Sequence, residues 1–335
     1  MIRARIPMLL LVSALACSCD RDKPSTATTT AAEPPKTAEP VPATKDQQPD
    51  PGVRNPVAVW TNLSTPESVL YDPAADAYLV SNVVGQPLAK DGQGFITRIW
   101  AGKHELPGRR AADERALDMK WIASGQNGVT LHAPKGMAFS GDRLYVADID
   151  VVRIFDRKTG APLGNVEVPG ATFLNDVAAG PGGRVYVSDY GMKDGKPSGT
   201  DAVYAIDGEK LTTIAKSKDL ANPNGLVATA DGIWVATASG ALYMLDASGK
   251  KSREQKLPKG SLDGLVLLPD GDLLVTSWDA AAVYRGKPGG ELRPIIEGVA
   301  SPADIGLDTK RMLLLVPLFT KDEVRAYALP TPRTP

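Results

Sequence analysis

Past Pro56 the chain repeats itself, and the period limits which folds are open to it. Six units begin at Pro66 (PESVLYDPAADAYLVSN), Pro134 (PKGMAFSGDRLYVAD), Leu174 (LNDVAAGPGGRVYVSD), Pro223 (PNGLVATADGIWVAT), Leu262 (LDGLVLLPDGDLLVTS) and Pro302 (PADIGLDTKRMLLLVP). From the second unit on, the starts lie 40, 49, 39 and 40 residues apart; the first gap is 68, because residues 102–127 are inserted. Each unit carries several short strands separated by Gly/Asp turns, among them those from Val151, Ala202, Ala241, Ala281 and Glu323. A period near 40 built from such strands is the signature of propeller blades. The expectation is an all-β, six-bladed propeller of four-stranded antiparallel blades over residues 56–329, with a tail at 330–335. A β-sandwich does not account for units of equal length. The one stretch with helical composition, Arg109 to Trp121, is expected to be a surface loop with a helical turn, or a lid over the channel.

The composition agrees with a packed body. The chain has 335 residues, 43% of them hydrophobic, and a formal net charge of −1, which gives no support for nucleic-acid binding. Its 32 glycines and 28 prolines suit many strands joined by turns.

The N-terminus reads as an export signal, residues 1–19. Arg3 and Arg5 precede an apolar run of eleven residues, Ile6 to Ala16, too short to span a bilayer as a mature helix. It ends in small residues at Cys17 and Cys19, the only two cysteines. This arrangement resembles the lipobox of bacterial lipoproteins and makes Cys17 the expected lipidation site, with Cys19 the poorer fit. Residues 20–55 are rich in Pro, Thr, Ala and charge and hold no aromatic residue, the composition of a disordered tether. The expected location is the periplasmic side of a bacterial membrane, as a monomer held by its lipid. The body beyond has no cysteine to pair, so packing and not disulfides must hold it together.

In a propeller the first strand of each blade lines the central channel, so residues in register at its start converge on one axis. Those positions are Glu67, Lys135, Asn175, Asn224, Asp263 and Ala303, followed by Ser68, Gly136, Asp176, Gly225, Gly264 and Asp304. Glu67 and Asp263 offer anionic oxygens, and Asn175 and Asn224 neutral ones. Oxygen ligation of mixed charge suits Ca²⁺ first, then Mg²⁺ or Mn²⁺, ahead of Zn²⁺. Acids gathered at a desolvated axis also call for a cation. Asn-Gly and Asp-Gly are ordinary turn dipeptides too, but four oxygen donors in register across blades exceed what turns require. Lys135 reads either as a solvated turn lysine or, facing the metal, as a group that binds a substrate carboxylate or an oxyanion, and Asp304 as its pairing partner. Asp148 and Asp189 match across blades at the end of the second strand and could ring the mouth. Ser248 and Lys251 form a Ser-x-x-Lys match without support in a blade turn, and no nucleophile elbow, Walker loop or dinucleotide fingerprint is present.

These motifs resemble the senescence-marker-protein/gluconolactonase/LRE-like family, with paraoxonases as distant relatives, over all six repeats. The resemblance implies a six-bladed propeller that holds a divalent metal in its channel and hydrolyses lactones or related esters. It assigns Glu67, Asn224 and Asp263 as metal ligands, with Asp263 also the general base. It makes Asn175 a ligand or a substrate-orienting residue. The chain departs from the pattern where Ser68 and Val69 replace Gly-Pro, and where Lys135 stands in place of a paraoxonase-like histidine. Only His104 and His132 exist, and His132 reads as a loop residue.

The implied activity is that of a metal-dependent lactonase or esterase. The metal would polarise the carbonyl while Asp263 or Glu67 activates water. The other reading is a non-catalytic, membrane-tethered propeller that binds a protein or a glycan, since fold alone decides nothing.

Overall fold

The computed structural model describes residues 55–101 and 117–330; the export signal with Cys17 and Cys19, most of the tether, His104 and residues 331–335 lie outside the described residues. Six four-stranded antiparallel sheets make up the body. Blade 1 comprises Pro66–Asp72, Ala77–Asn82, Phe95–Trp100 and Leu117–Ala123. Blade 2 comprises Pro134–Ser140, Arg143–Asp148, Val151–Asp156 and Pro162–Glu167. Blade 3 comprises Leu174–Ala179, Val185–Asp189, Ala202–Asp207 and Lys210–Lys216. A two-stranded hairpin, Met192–Lys193 with Lys196–Pro197, sits between its second and third strands and accounts for the longer repeat there. Blade 4 comprises Pro223–Ala228, Ile233–Thr237, Ala241–Leu245 and Lys251–Lys256. Blade 5 comprises Leu262–Leu267, Leu273–Ser277, Ala282–Gly286 and Arg293–Glu297.

Blade 6 is built from both ends of the body. Gly306–Asp308, Leu313–Leu318 and Glu323–Ala328 supply three strands, and Ala58–Trp60 supplies the outermost, pairing Ala58 with Ala326 and Trp60 with Val324. The chain thus closes the ring with its own first strand, which removes the open edge an incomplete blade would leave.

Burial explains the sequence pattern. The second strands, such as Ile233–Thr237 and Leu273–Ser277, are buried at every residue because both faces meet a neighbouring blade, and they read as continuous apolar runs. The outermost strands, such as Lys210–Lys216 and Lys251–Lys256, are largely exposed and rich in charge. The hydrophobic core is accordingly divided into wedges between blades. Ala138, Tyr145, Val187 and Tyr204 join blades 2 and 3; Trp234, Leu242, Leu265 and Val275 join blades 4 and 5; Val69, Tyr78, Leu315 and Val324 join blades 1 and 6. Because apolar burial happens between blades, the axis is left to polar residues.

The helical expectation for Arg109 to Trp121 is corrected where the structure describes it: Leu117–Ala123 is the outer strand of blade 1. Arg98 explains the preference. Its guanidinium pairs with Asp118 at 3.2 Å and lies 4.6 Å from the Trp100 ring and 4.7 Å from the Trp121 ring, which ties the segment across to Phe95–Trp100.

Candidate functional site

Every inner strand carries an extra residue at the same place. Pro66 pairs with Asn82 but Val69 with Val80; Pro134 pairs with Asp148 but Met137 with Val146. The same slip separates Leu174 from Val177, Pro223 from Leu226 and Leu262 from Leu265. Blade 6 repeats it between the Pro302–Leu318 bridge and the Gly306–Leu315 pair. A β-bulge turns the extra side chain out of the ladder. The bulged pairs are the polar pairs identified in the sequence, Glu67-Ser68 through Ala303-Asp304, so the bulge is the device that delivers them to the axis.

Glycine at the second position lets neighbouring inner strands approach. A Cβ on Gly225 would lie 2.1 Å from the Asp263 carbonyl oxygen, and one on Gly264 would lie 2.3 Å from the Ile305 nitrogen. Where that position is not glycine, its side chain braces the next strand. Asp176 accepts from the Val177 and Leu226 amides, both at 2.6 Å. Ser68 donates its hydroxyl to Asp304 at 2.5 Å, and the Asp304 amide donates to the Glu67 carbonyl at 2.9 Å. The expected Asp304–Lys135 pair does not form: Asp304 is held by Ser68, while Lys135 donates to the Ala133 carbonyl at 2.8 Å.

The four candidate ligands share one property. Glu67, Asn175, Asn224 and Asp263 are each 5–6% exposed, and each has a buried oxygen with no hydrogen-bond partner: Glu67 Oε2, Asn175 Oδ1, Asn224 Oδ1 and Asp263 Oδ1. Two of the orphans are left that way by partners at the other end of the group. Asn224 Nδ2 donates to the Leu262 carbonyl at 3.1 Å, which aims its oxygen the other way. Trp278 Nε1 donates to Asp263 Oδ2 at 2.7 Å and leaves Oδ1 unbonded. Buried acceptors are rarely left unpaired, and four from four blades in one register fit a hard cation. Among the described residues no three His, Cys, Asp or Glu side chains form a metal cluster by themselves. A cation here would rest on two carboxylates and two amides.

The electrostatics point the same way. Burial, and then the Asp263 and Asp304 charges, push the Glu67 carboxyl well above its usual range. Burial and Asp304 push Asp263 up to about 8, and burial pushes Asp304 up to about 7. Asp176 is raised as well, chiefly by burial and then by Asp304. Among the described residues the buried cation beside them is Lys135, 1% exposed, whose ammonium is brought down to about 8 by burial against the pull of Glu67 and Asp148. Its Nζ lies 5.0 Å from the centre of the Phe173 ring.

The remaining sequence candidates have structural duties. Asp148 accepts from the His132 and Ala133 amides and from Arg153 Nε; Asp189 accepts from the Thr172, Phe173 and Gly191 amides. They match across blades as expected, but both are fully buried and hold the loops that enter the inner strands, so they do not ring an open mouth. His132 accepts from the Gly92 amide through Nδ1, at 3.0 Å, as a loop residue. Sequence reasoning missed Trp278, which orients Asp263; it placed Ser68 in the register but did not foresee its bond to Asp304. Trp278 carries no motif; only its position one past the second strand of a blade could have marked it.

A family model described as SMP-30/Gluconolactonase/LRE-like region matches residues 101–309. No curated protein matches the chain by sequence. Among solved structures, a gluconolactonase from Xanthomonas campestris superposes with a TM-score of 0.59 at 16% identity, over 86% of this chain and 99% of its own. Regucalcin, a calcium-binding protein from Agrobacterium tumefaciens, superposes with a TM-score of 0.51 at 16% identity, over 79% and 86%. A virginiamycin B lyase from Staphylococcus aureus gives 0.51 at 13% identity, over 81% and 99%. At such identities the likeness is one of fold, and a lyase shares it with a gluconolactonase.

Proposed function

The chain belongs to the SMP-30/gluconolactonase/LRE-like family, and from that membership we propose that its channel holds the active site of a divalent-cation-dependent hydrolase of a lactone or small ester. The observation that carries this reading is the set of four orphaned oxygens at Glu67, Asn175, Asn224 and Asp263. These four residues would hold the cation, Ca²⁺ by the hardness of the donor set. When bound it would polarise the substrate carbonyl and balance the two carboxylates.

The side chains divide the remaining work. Trp278 fixes one oxygen of Asp263, so the other presents a constant direction to the channel. Glu67 and Asp263 are the two carboxylates of the set, and either one can take the proton from water through an oxygen that the cation leaves free. Water attacks the carbonyl carbon and gives up its proton to Glu67 or Asp263. The same proton then passes to the alkoxide as the acyl C–O bond breaks, leaving carboxylic acid and alcohol. Lys135 places a positive charge on blade 2, suited to a substrate carboxylate or to the developing oxyanion, and Asn175 orients the substrate beside it.

Metal analysis of the purified protein, with hydrolysis of a lactone and ester panel and Asp263→Asn as control, tests this reading. Stoichiometric metal and turnover lost in the variant are expected. Bound metal with no turnover on any ester or lactone would point instead to the non-catalytic binding propeller.

Export and anchoring belong to the same proposal: a lipoprotein acylated at Cys17, facing the periplasm, with the propeller held off the membrane by the tether. Cys17→Ser should release the protein from the membrane fraction while Cys19→Ser should not. Release by neither substitution would overturn the anchor.

A further inference from the structure

The channel mouth has a second register, different in character from the polar one. The last residue of each second strand pairs with the first residue of an inner strand, as Asn82 with Pro66, Asp189 with Leu174 and Ser277 with Leu262. The residue that follows each second strand therefore stands at the level of the polar ring, on its outer side. These residues are Val83, Ile149, Tyr190, Ala238, Trp278 and Phe319. None is charged. The larger ones touch one another or the site. Trp278 bonds Asp263 and packs against Phe319, with ring centres 5.4 Å apart. Phe319 in turn packs on the cluster of Val83, Ala133 and Ile149. Across the ring Tyr190 packs against Phe173 at 5.1 Å, and Phe173 carries Lys135 on its face. Phe173, Tyr190, Trp278 and Phe319 are all only half-buried, so part of each ring is open to solvent.

Such a collar offers stacking surface and few hydrogen bonds. The indole N–H of Trp278 is already committed to Asp263. A polyhydroxylated ligand would give up water for walls whose side chains offer little beyond the Tyr190 hydroxyl, whereas a flat apolar ring gains contact with aromatic faces. We infer that this site takes a lactone or ester whose remainder is a flat, apolar, aryl-type group, in preference to the polyol of a sugar-acid lactone. The inference rests on the hydrolase reading above for the reacting carbonyl, but the collar makes its own prediction about binding.

Lactams separate the two, because they keep the shape of a lactone and resist hydrolysis. Binding of 3,4-dihydroquinolin-2-one and of glucono-1,5-lactam to the calcium-loaded full chain can be compared by calorimetry. The aryl lactam is expected to bind about tenfold or more tightly than the sugar lactam. Phe319→Ala and Tyr190→Ala, each checked for an unchanged fold by circular dichroism, should weaken the aryl lactam about fivefold and leave the sugar lactam where it was. Preference for glucono-1,5-lactam, binding of neither, or equal loss of both in the variants would overturn the inference. Binding of the aryl lactam without hydrolysis of any lactone or ester would overturn the hydrolase reading and leave the collar standing.

Discussion

Trp278 donates its indole N–H to Asp263 Oδ2 at 2.7 Å, and Asp263 Oδ1 is left buried with no partner. One hydrogen bond thus both orients a carboxylate and reserves its second oxygen. Asp263→Asn keeps the shape but removes the charge, so cation affinity and hydrolysis should both collapse, with the rate falling on the order of 10²-fold or more. Trp278→Phe should keep the cation and lose a smaller share of the rate, about tenfold, as the carboxylate gains freedom. Calcium titration with steady-state kinetics checks both. A Trp278→Phe variant as inactive as Asp263→Asn would contradict the division of roles.

Glu67→Gln offers the complementary test. If Glu67 takes the proton from water, calcium-loaded Glu67→Gln should lose kcat on the order of 10²-fold, with KM for the substrate little changed. Loss of cation binding with kcat retained at saturating calcium would make Glu67 a ligand alone.

The raised acids make a prediction about pH in the absence of a cation. Asp304 is pushed up to about 7 and Asp263 up to about 8, both first by burial, so between pH 4 and 8 the folded state binds more protons than the unfolded one. Stability of the metal-free protein should therefore fall as pH rises through that window. Lys135, brought down to about 8, opposes this only above pH 8. Melting temperature in chelator should be higher at pH 5 than at pH 8, and saturating calcium should raise the pH 8 value most. A flat profile in chelator would show that these acids are not buried as a cluster.

Arg311 closes the ring from outside the channel. It grips both oxygens of Asp76 in blade 1, at 2.8 and 2.7 Å, and bonds the fully buried Asp308 of blade 6 at 2.9 Å. The pairing holds Asp76 well below the usual carboxylate range, Arg311 being the first cause. Arg311→Met should lower stability by about 2 kcal/mol, read as a shift of the urea midpoint. Because the Asp76 pKa is depressed in the folded state, that contribution is present above the unfolded carboxyl pKa and is lost as pH falls below it. Equal midpoints at pH 7 would contradict the account.

Gly225 tests the close approach of the inner strands. With the Asp263 carbonyl oxygen 2.1 Å from an added Cβ, Gly225→Ala should cost about 3 kcal/mol and weaken calcium binding by moving Asp263. An unperturbed melting curve would rule out the clash.

Much of this architecture was legible before any coordinates. The polar pairs at Glu67, Asn175, Asn224 and Asp263 stood in register because each inner strand repeats the same local problem: an apolar strand that must begin at a polar axis. The segment around Leu117–Ala123 was less legible, because its charges suggest a helical surface until Arg98 is seen sandwiched between Trp100 and Trp121. Asp304 misled for a similar reason. Its charge suggests Lys135, but Ser68 is the neighbour that the adjoining strands bring within reach.

The sequence by itself determined the number of blades, the turn chemistry and the identity of the residues that share the axis, because these follow from a period and from side-chain types. Only the tertiary structure decided which oxygens remain unsatisfied and which aromatic rings gather at the mouth. Both depend on partners contributed by other strands and neighbouring blades, as Trp278 is to Asp263, Phe319 to Trp278, and Ala58–Trp60 to the blade at the opposite end of the chain.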